Sequence, residues 1–348
     1  MNPYIIVTLL FSLGLGTTIT FASSHWLLAW MGLEINTLAI IPLMAHNHHP
    51  RAVEATTKYF LTQATAAAVL LFASISNAWS TGQWDISYMT HPLPNTLIIL
   101  ALSLKIGLAP LHTWMPEVLQ GLDLTTGLIL STWQKLAPFC LFLQIGPMNH
   151  TLLIVLGLFS TLVGGWGGLN QTQLRKILAY SSIAHLGWMT LVLQFSPQLT
   201  LLALLTYFIM TFSLFIIFKF NDSMTLNSLT TSWAKAPALT AMLPLVLLSL
   251  GGLPPLTGFL PKWMILLELA KLGLALVATL AALSALLSLF FYLRVSYAMT
   301  LTMSPNNTTG TLPWRLGSHL PSAPLAVATS LATCLLPIGP AAMALLTS

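Results

Sequence analysis

Residues 105–116 read KIGLAPLHTWMP, so a glycine and two prolines interrupt a segment that is otherwise rich in apolar residues. A second stretch, GLPPLTGFLPK at 252–262, repeats this pattern. The glycines and prolines correspond at a shift of 145 residues without a gap: Gly107, Pro110 and Pro116 align with Gly252, Pro255 and Pro261. Because proline lacks an amide donor and clashes with the preceding turn, each stretch predicts a broken helix.

The composition of the chain predicts a membrane protein. Of its 348 residues, 56% are hydrophobic and only 5% are charged, whereas about a quarter of the residues in soluble domains are charged. Apolar runs recur along the sequence, and each is long enough, at roughly 20 residues, to cross a bilayer as a helix. We therefore expect an all-α membrane protein that forms a single membrane domain. The net charge of +5 is spread over the chain without a basic patch, so no nucleic-acid partner is expected.

Apolar runs between turn signals predict about eleven transmembrane helices. They lie near residues 3–21, 25–45, 55–79, 94–119, 123–145, 149–169, 174–195, 198–220, 238–271, 273–300 and 322–346. The broken stretches fall in the fourth and ninth spans. This spacing predicts two five-helix repeats, at 1–147 and 148–300, followed by a loop and a C-terminal transmembrane helix at 301–348. Because five is odd, the second repeat enters the membrane from the opposite side, which makes the repeats inverted.

The basic residues indicate how the chain is oriented in the membrane. Most of them fall at or near loops on one face: Arg51, Lys58, Arg175, Lys176, Lys219, Lys235, Arg294 and Arg315. The opposite face has little beyond Lys271. By the positive-inside rule, the N-terminus lies on the matrix or cytoplasmic side and the C-terminus on the other. The sequence starts without a basic leader, so we expect no cleaved presequence.

Four charged residues lie inside or beside apolar spans: Glu34, Lys105, Lys135 and Lys262. A charge left unpaired within the membrane costs several kcal/mol, so such residues are candidates for function. Burial disfavours the charged form and a nearby opposite charge favours it, which lets such groups exchange protons. We predict a proton relay in which separating Glu34 from Lys105 helps Lys105 to release its proton. The alternative is that each lysine reaches an interface or ties two helices together.

Several histidines were also considered as functional groups. His112 follows the first break and His185 lies within the seventh span, where neighbouring serines could hold water. Since histidine exchanges protons near neutral pH, we predict a secondary relay role for both, against the alternative of a helix-to-helix hydrogen bond. His46, His48 and His49 cluster in a loop, but no carboxylate or cysteine completes a ligand set, so no metal site is expected.

Four glycines flank Trp166 in the sixth span: Gly164, Gly165, Gly167 and Gly168. Small residues at this spacing favour close helix packing within a membrane. A dinucleotide-binding loop would need a preceding β-strand, and the sequence predicts none there. We therefore expect these glycines to serve packing.

Several motifs together resemble one known family. They are MNP at 1–3, WMGLEIN at 30–36, the stretch at 105–116, YSSIAHLG at 180–187 and GGLPPLTGF at 251–259. Over essentially its whole length, the chain resembles the subunit 2 family of mitochondrial NADH:ubiquinone oxidoreductase (respiratory complex I), in its short animal form with eleven helices. This family belongs to the antiporter-like membrane proteins.

The resemblance implies a core membrane-arm subunit of a proton-pumping complex in the mitochondrial inner membrane, with the N-terminus in the matrix and the C-terminus in the intermembrane space. It implies that Glu34, Lys105, Lys135 and Lys262 occupy the proton-channel positions. Quinone reduction elsewhere in the complex would change the pairing of Glu34 with Lys105, Lys105 would exchange a proton with Lys135, and Lys262 would complete the route.

The resemblance also implies that this chain binds no cofactor, because NADH, FMN, iron-sulfur clusters and ubiquinone belong to partner subunits. Its expected partners are other membrane-arm subunits, including further antiporter-like ones, and membrane lipids. Two alternatives stay open at this point. One is a subunit of a Mrp-type sodium/proton antiporter, and the other is a purely structural membrane-arm subunit.

Overall fold

The computed structural model describes residues 2–46, 48–89, 91–145, 149–234, 236–302 and 322–347. Over these residues the chain is helical, and no β-strand is found among them. The chain divides into two compact units, which are described separately. The first comprises Met1–Phe159 with Leu193–Phe195, and the second comprises Ser160–Val192 with Ser196–Ser348.

The helices account for every predicted span. In chain order, the first eight are α1 (Pro3–Ala22), α2 (Trp26–Met44), α3 (Pro50–Thr81), α4 (Pro92–Ile106), α5 (Trp114–Gly121), α6 (Leu124–Ser131), α7 (Trp133–Gln144) and α8 (His150–Gly167). They are followed by α9 (Leu174–Val192), α10 (Pro197–Phe220), α11 (Leu226–Thr230), α12 (Pro237–Gly251), α13 (Phe259–Lys271), α14 (Ala275–Thr300), α15 (Ser322–Cys334) and α16 (Gly339–Thr347).

Six helices in the described part of the chain are long and apolar enough to cross a membrane: α1, α2, α3, α8, α10 and α14. The shorter α4 and α12 are apolar as well. The all-helical membrane fold predicted from composition is therefore confirmed. The number of eleven crossings stays a prediction, because several spans consist of two helices each.

Proline defines the start of many of these helices. A proline at the first helical position has the backbone angle that the helix needs and lacks an amide hydrogen that would have no partner there. Five helices begin in this way, with Pro3, Pro50, Pro92, Pro197 and Pro237. The side chain of Asn2 also caps α1 by accepting a hydrogen bond from the amide of Tyr4 at 3.2 Å.

Both predicted helix breaks are present, and they have the same backbone geometry. Helix α4 ends at Gly107 with φ of 87°, and α12 ends at Gly252 with φ of 85°, a left-handed conformation that glycine adopts without strain. In the first break the amides of Gly107 and Leu108 both donate to Ser103 O. In the second, the amides of Gly252 and Leu253 both donate to Leu248 O. The acceptors Ser103 and Leu248 are also 145 residues apart.

A second correspondence links the two halves of the sequence. In each half, the chain before one helix pairs with the chain after the next through two backbone hydrogen bonds. In the first half, Trp26 N donates to Trp84 O and Ile86 N donates to Ser24 O. In the second half, Leu174 N donates to Met224 O and Leu226 N donates to Thr172 O.

The predicted boundary at 147 and 148 lies outside the described residues, as do Lys235 and Arg315. The repeat boundaries therefore stay a prediction.

Two further spans are interrupted, which the sequence analysis did not predict. The fifth span divides at Thr132 into α6 and α7, although neither a glycine nor a proline stands at the break. At this break the hydroxyl of Thr132 donates to Leu128 O at 2.7 Å, so it satisfies a carbonyl in the last turn of α6. The last span bends by 66° between Ser322–Cys334 and Leu336–Leu346.

The glycines around Trp166 serve close helix packing, as predicted. A Cβ atom added at Gly164 would lie 2.6 Å from the backbone nitrogen of Ala184 on α9, closer than real Cβ contacts allow. At Gly168 it would lie 2.7 Å from the ring of Phe291 on α14. These positions accept only glycine without displacement of a neighbouring helix.

Candidate functional site

The first unit holds two buried lysines on neighbouring helices. Lys135 lies in the first turn of α7, which packs against α1, α2 and α4. Lys105 lies in the last turn of α4, just before the first break. Only 3% of Lys135 and 6% of Lys105 is exposed. Within this chain neither side chain reaches a surface, which argues against the alternative that they extend to an interface.

Both lysines line one small polar cavity. The cavity volume is about 20 Å³, and its polar lining residues are Asn36, Thr37, Tyr59, Gln63, Lys105, Gln134 and Lys135. A water molecule needs about 10–15 Å³ measured in this way, so the cavity has room for about one. The structure therefore brings Lys105 and Lys135 to the same water-sized space inside the predicted membrane spans.

Side chains satisfy the carbonyl groups that the first break frees. The amide of Gln63 on α3 donates to Lys105 O at 3.4 Å, and the indole of Trp114 on α5 donates to Leu104 O at 3.0 Å. The Lys105 ammonium itself is buried, and it has no hydrogen-bond partner among the described residues. The backbone at the break is thus held by neutral side chains.

Glu34 lies near this cavity without pairing directly with a lysine. Its carboxylate accepts a hydrogen bond from Thr37 at 3.2 Å and is half-buried. It acts electrostatically on Lys105 and on Tyr59. Among the described residues, however, Glu34 and Lys105 form no ion pair within 4.0 Å. The pairing of Glu34 with Lys105 therefore stays a prediction.

His112 is half-buried in the segment between α4 and α5 and is not among the residues that line the cavity.

An exposed cluster of charged residues ties α3 to α5. The ammonium of Lys58 lies 2.8 Å from a carboxylate oxygen of Glu54 and 2.8 Å from one of Glu117. The sequence analysis missed this cluster, although Glu54 and Lys58 have the spacing of a helical ion pair.

In the second unit, Lys262 holds the end of a broken helix. It lies in the first turn of α13 and is 9% exposed. Its ammonium donates to Gly251 O at 2.8 Å and to Leu250 O at 3.1 Å. Leu250 is the position 145 residues after Lys105. The equivalent carbonyl therefore accepts a side-chain hydrogen bond at both breaks, from neutral Gln63 in the first and from charged Lys262 in the second.

His185 lies within α9 and is 9% exposed. Its ring centroid is 5.6 Å from that of Tyr207 on α10, and the Tyr207 hydroxyl pairs with Ser182. The hydroxyls of Ser181 and Ser182 donate to carbonyls of their own helix, Leu178 O and Ala179 O, both at 2.7 Å. The serine protons are thus used within the helix, which leaves the hydroxyl oxygens as acceptors.

Three carboxamide side chains of the cavity were not predicted as site residues: those of Asn36, Gln63 and Gln134. Each interrupts an apolar span with a carboxamide, and Gln134 adjoins Lys135. The signal that could have found them is a neutral polar side chain within a membrane span at helical spacing from a charged one.

Comparison with known proteins identifies the family. A sequence model described as "NADH:quinone oxidoreductase/Mrp antiporter, TM" matches residues 23–288, and one described as "NADH dehydrogenase subunit 2 C-terminus" matches residues 289–343. NADH-ubiquinone oxidoreductase chain 2 of Tetraodon nigroviridis is 73% identical over 345 residues, covering 99% of each chain. The chain belongs to the NADH-ubiquinone oxidoreductase chain 2 family. The Salmo salar member is 68% identical and covers 100% of both chains.

Solved structures agree with the family assignment. A chain of respiratory complex I from Thermus thermophilus with bound aureothin has a TM-score of 0.88 and 30% identity, over 100% of this chain and 81% of that one. A chain of the Mrp complex from a Dietzia species has a TM-score of 0.84 at 18% identity, over 97% of this chain and 75% of that one. The second likeness shows that this chain shares its fold with a chain of the Mrp complex.

Proposed function

We propose that this chain is a core membrane-arm subunit of the proton-pumping NADH:ubiquinone oxidoreductase of the mitochondrial inner membrane. In this role it moves protons while electron transfer from NADH to ubiquinone takes place in partner subunits. The observation that carries the proposal is that Lys105 and Lys135 line the same water-sized polar cavity within membrane spans. A purely structural subunit has no need to bury two lysines around one cavity, because burying a charged group within the membrane is costly.

The proposed relay begins at Glu34. Approach of its carboxylate to Lys105 favours the protonated lysine, and withdrawal favours release of the proton. The cavity that both lysines line then provides the shortest polar path from Lys105 to Lys135. Because no ion pair holds Glu34 against Lys105 in the described structure, the pair is free to form and separate during the cycle.

Lys262 is proposed to complete the route in the second unit. Its ammonium donates to two carbonyls at the end of α12, so its protonation state bears on the backbone of the break. A neutral amine is a weaker donor than an ammonium, since hydrogen bonds from charged groups are the stronger ones. Secondary relay roles are proposed for His112, which follows the first break, and for His185 within α9.

The surrounding assignments follow from family membership and are part of the same proposal. The neighbours of this chain are other membrane-arm subunits, including further antiporter-like ones, and membrane lipids. NADH, FMN, iron-sulfur clusters and ubiquinone are bound by partner subunits. From the bias of basic residues we propose that the N-terminus lies in the matrix and the C-terminus in the intermembrane space.

The other candidate function is that of a Mrp-type sodium/proton antiporter subunit. The fold match to the Mrp complex keeps this candidate in view, but that match is only 18% identical. Relatives that are 73% and 68% identical over nearly the full length are named for NADH-ubiquinone oxidoreductase. The oxidoreductase assignment is therefore the better supported of the two.

Membership of the complex is tested on the native membrane. Membranes are extracted with mild detergent and separated by native electrophoresis. Bands are stained for NADH oxidation, and the active band is analysed by mass spectrometry. We expect this chain in the active band. If the chain is found only in a smaller assembly that does not oxidise NADH, the antiporter function would be supported instead.

A further inference from the structure

We infer that Asn36 and Lys105 hold an ordered water molecule in the cavity between the two lysines, which makes Asn36 a positioning residue for proton transfer. The functional part of this inference rests on the proposed proton relay. The water site itself does not, because it follows from burial, hydrogen bonding and volume alone.

The first observation is the set of buried groups without partners. Asn36 is 2% exposed, and both its Oδ1 and its Nδ2 lack a hydrogen-bond partner among the described residues. The buried Nζ of Lys105 lacks one as well. A carboxamide offers two donors and an acceptor oxygen, and buried polar groups are nearly always bonded to protein or to ordered water. Asn36 and Lys105 therefore need a partner that the neighbouring protein atoms do not supply.

The second observation is the space beside these residues. Both line the cavity of about 20 Å³, which exceeds the roughly 10–15 Å³ that one water requires. A buried water also needs between about two and four polar partners. Asn36 and Lys105 provide them, with Gln134 and Lys135 also in the lining. The cavity thus meets the conditions of volume and polarity for a water site.

The third observation is the packing around Asn36. The side-chain amide of Gln134 donates to the backbone oxygen of Asn36 at 3.2 Å, which joins α7 to α2 beside Lys135. The side chain of Asn36 packs on α1, because a Cβ atom added at Gly16 would lie 2.5 Å from Asn36 Oδ1. Leu33, Asn36 and Thr37 share one helical face, and all three line the cavity. The contact with Gly16 restricts the carboxamide, which favours one position for a water bound to it.

A fixed water gives the transfer between the lysines a defined intermediate step. An N–H bond of the Lys105 ammonium breaks as an O–H bond forms to the water, which leaves a neutral amine and a hydronium ion. The hydronium gives one of its protons to the neutral amine of Lys135, which becomes an ammonium, and the water is restored. One proton has moved, with no change of oxidation state and no other reactant.

The water site is tested first in the native complex, without any substitution. Cryo-electron microscopy at a resolution that shows ordered water should reveal density within about 3 Å of both the Asn36 carboxamide and Lys105 Nζ. A cavity without density, or an Asn36 carboxamide bonded only to protein atoms, would overturn the inference. This measurement does not depend on whether the subunit pumps protons.

The positioning role is tested with Asn36→Leu, which keeps the approximate shape and removes both hydrogen-bonding atoms. We expect the variant complex to assemble but to oxidise NADH in coupled membranes at least several-fold more slowly, with a larger rate ratio between H₂O and D₂O. Asn77→Leu is the matched control, because Asn77 is a fully buried asparagine on α3 that does not line the cavity.

The outcomes separate this inference from the proposed function. An unchanged coupled rate in assembled Asn36→Leu, together with lost pumping in Lys135→Met, would reject the positioning role and leave the relay standing. Unchanged behaviour in both variants would reject the relay itself. If Asn36→Leu fails to assemble, Asn36→Ser provides the second test. It keeps one polar group, so an intermediate coupled rate is expected, and a rate equal to that of the native complex would count against the role.

Discussion

A single methyl group at Gly252 should disturb Lys262 in a way that can be measured. Gly252 has a positive φ of 85°, and a Cβ atom there would lie 2.9 Å from Lys262 Cδ and 3.1 Å from its Nζ. The substitution Gly252→Ala therefore strains the backbone and also displaces the lysine that caps α12. Gly273→Ala is the matched control, because Gly273 has a similar φ of 76° and a Cβ atom there would meet nothing within 4 Å.

The structure gives the size of the two effects. An alanine in the left-handed region costs about 1–2 kcal/mol at either position. At Gly252 the displacement of Lys262 increases the destabilisation by about 0.5–1.5 kcal/mol if the lysine only leaves its rotamer. If it also loses a hydrogen bond to Leu250 O or Gly251 O, a further contribution of about 1.5–3 kcal/mol applies. We therefore expect Gly252→Ala to be more destabilising than Gly273→Ala by at least about 0.5 kcal/mol.

The assay heats each variant complex through a series of temperatures and measures the fraction of this chain that remains assembled on native electrophoresis. Proton pumping per NADH oxidised is measured on the same preparations at a permissive temperature. We expect Gly252→Ala to lose the chain at a lower temperature and to pump less, and Gly273→Ala to keep normal pumping. Equal effects of the two substitutions in both measurements would refute the argument that Gly252 protects the Lys262 cap.

Two further substitutions test the packing of the first unit. Gly16→Ala should destabilise the assembled chain by about 1–3 kcal/mol through overpacking, because the added Cβ would lie 2.8 Å from Gly32 O. Gly14→Ala should be neutral or slightly stabilising in the same heating assay, because a Cβ atom added at Gly14 would meet nothing within 4 Å. Equal loss of the assembled chain in both variants would argue against close contact of α1 with α2. Trp114→Phe removes the hydrogen bond to Leu104 O. It should destabilise the chain by about 1–3 kcal/mol, because a buried carbonyl loses its hydrogen-bond donor. An unchanged thermal midpoint would show that the carbonyl finds another donor.

The fold could be read largely from the sequence because its main signals are local. Proline and glycine break a helix by their own covalent structure, so the two breaks and their spacing are visible without coordinates. The break at Thr132 was not predicted. Neither glycine nor proline stands at this break, so no single position marks it in the sequence. The bend in the last span does have prolines nearby, at Pro337 and Pro340.

The sequence singles out the two lysines that line the cavity but not its neutral polar residues, and the roles of the lysines stay predictions. Lys105, Lys135 and Lys262 stand out because charge is rare in apolar spans, and the structure buries all three. The gathering of Asn36 and Gln63 around one cavity depends on contacts between helices that are distant in sequence. The Lys262 hydrogen bonds to α12 were likewise unforeseen, since they require the broken helix to be placed against α13.

The central claim is that the buried lysines carry protons, and the most direct test is proton pumping by Lys135→Met. Complexes with this substitution are reconstituted into liposomes, and protons moved per NADH oxidised are measured beside Lys271→Met. The control makes the same chemical change at a lysine whose side chain is 72% exposed. We expect Lys135→Met to assemble but to lose pumping, while Lys271→Met keeps it. Normal pumping by an assembled Lys135→Met complex would contradict a proton-carrying role for the buried lysines.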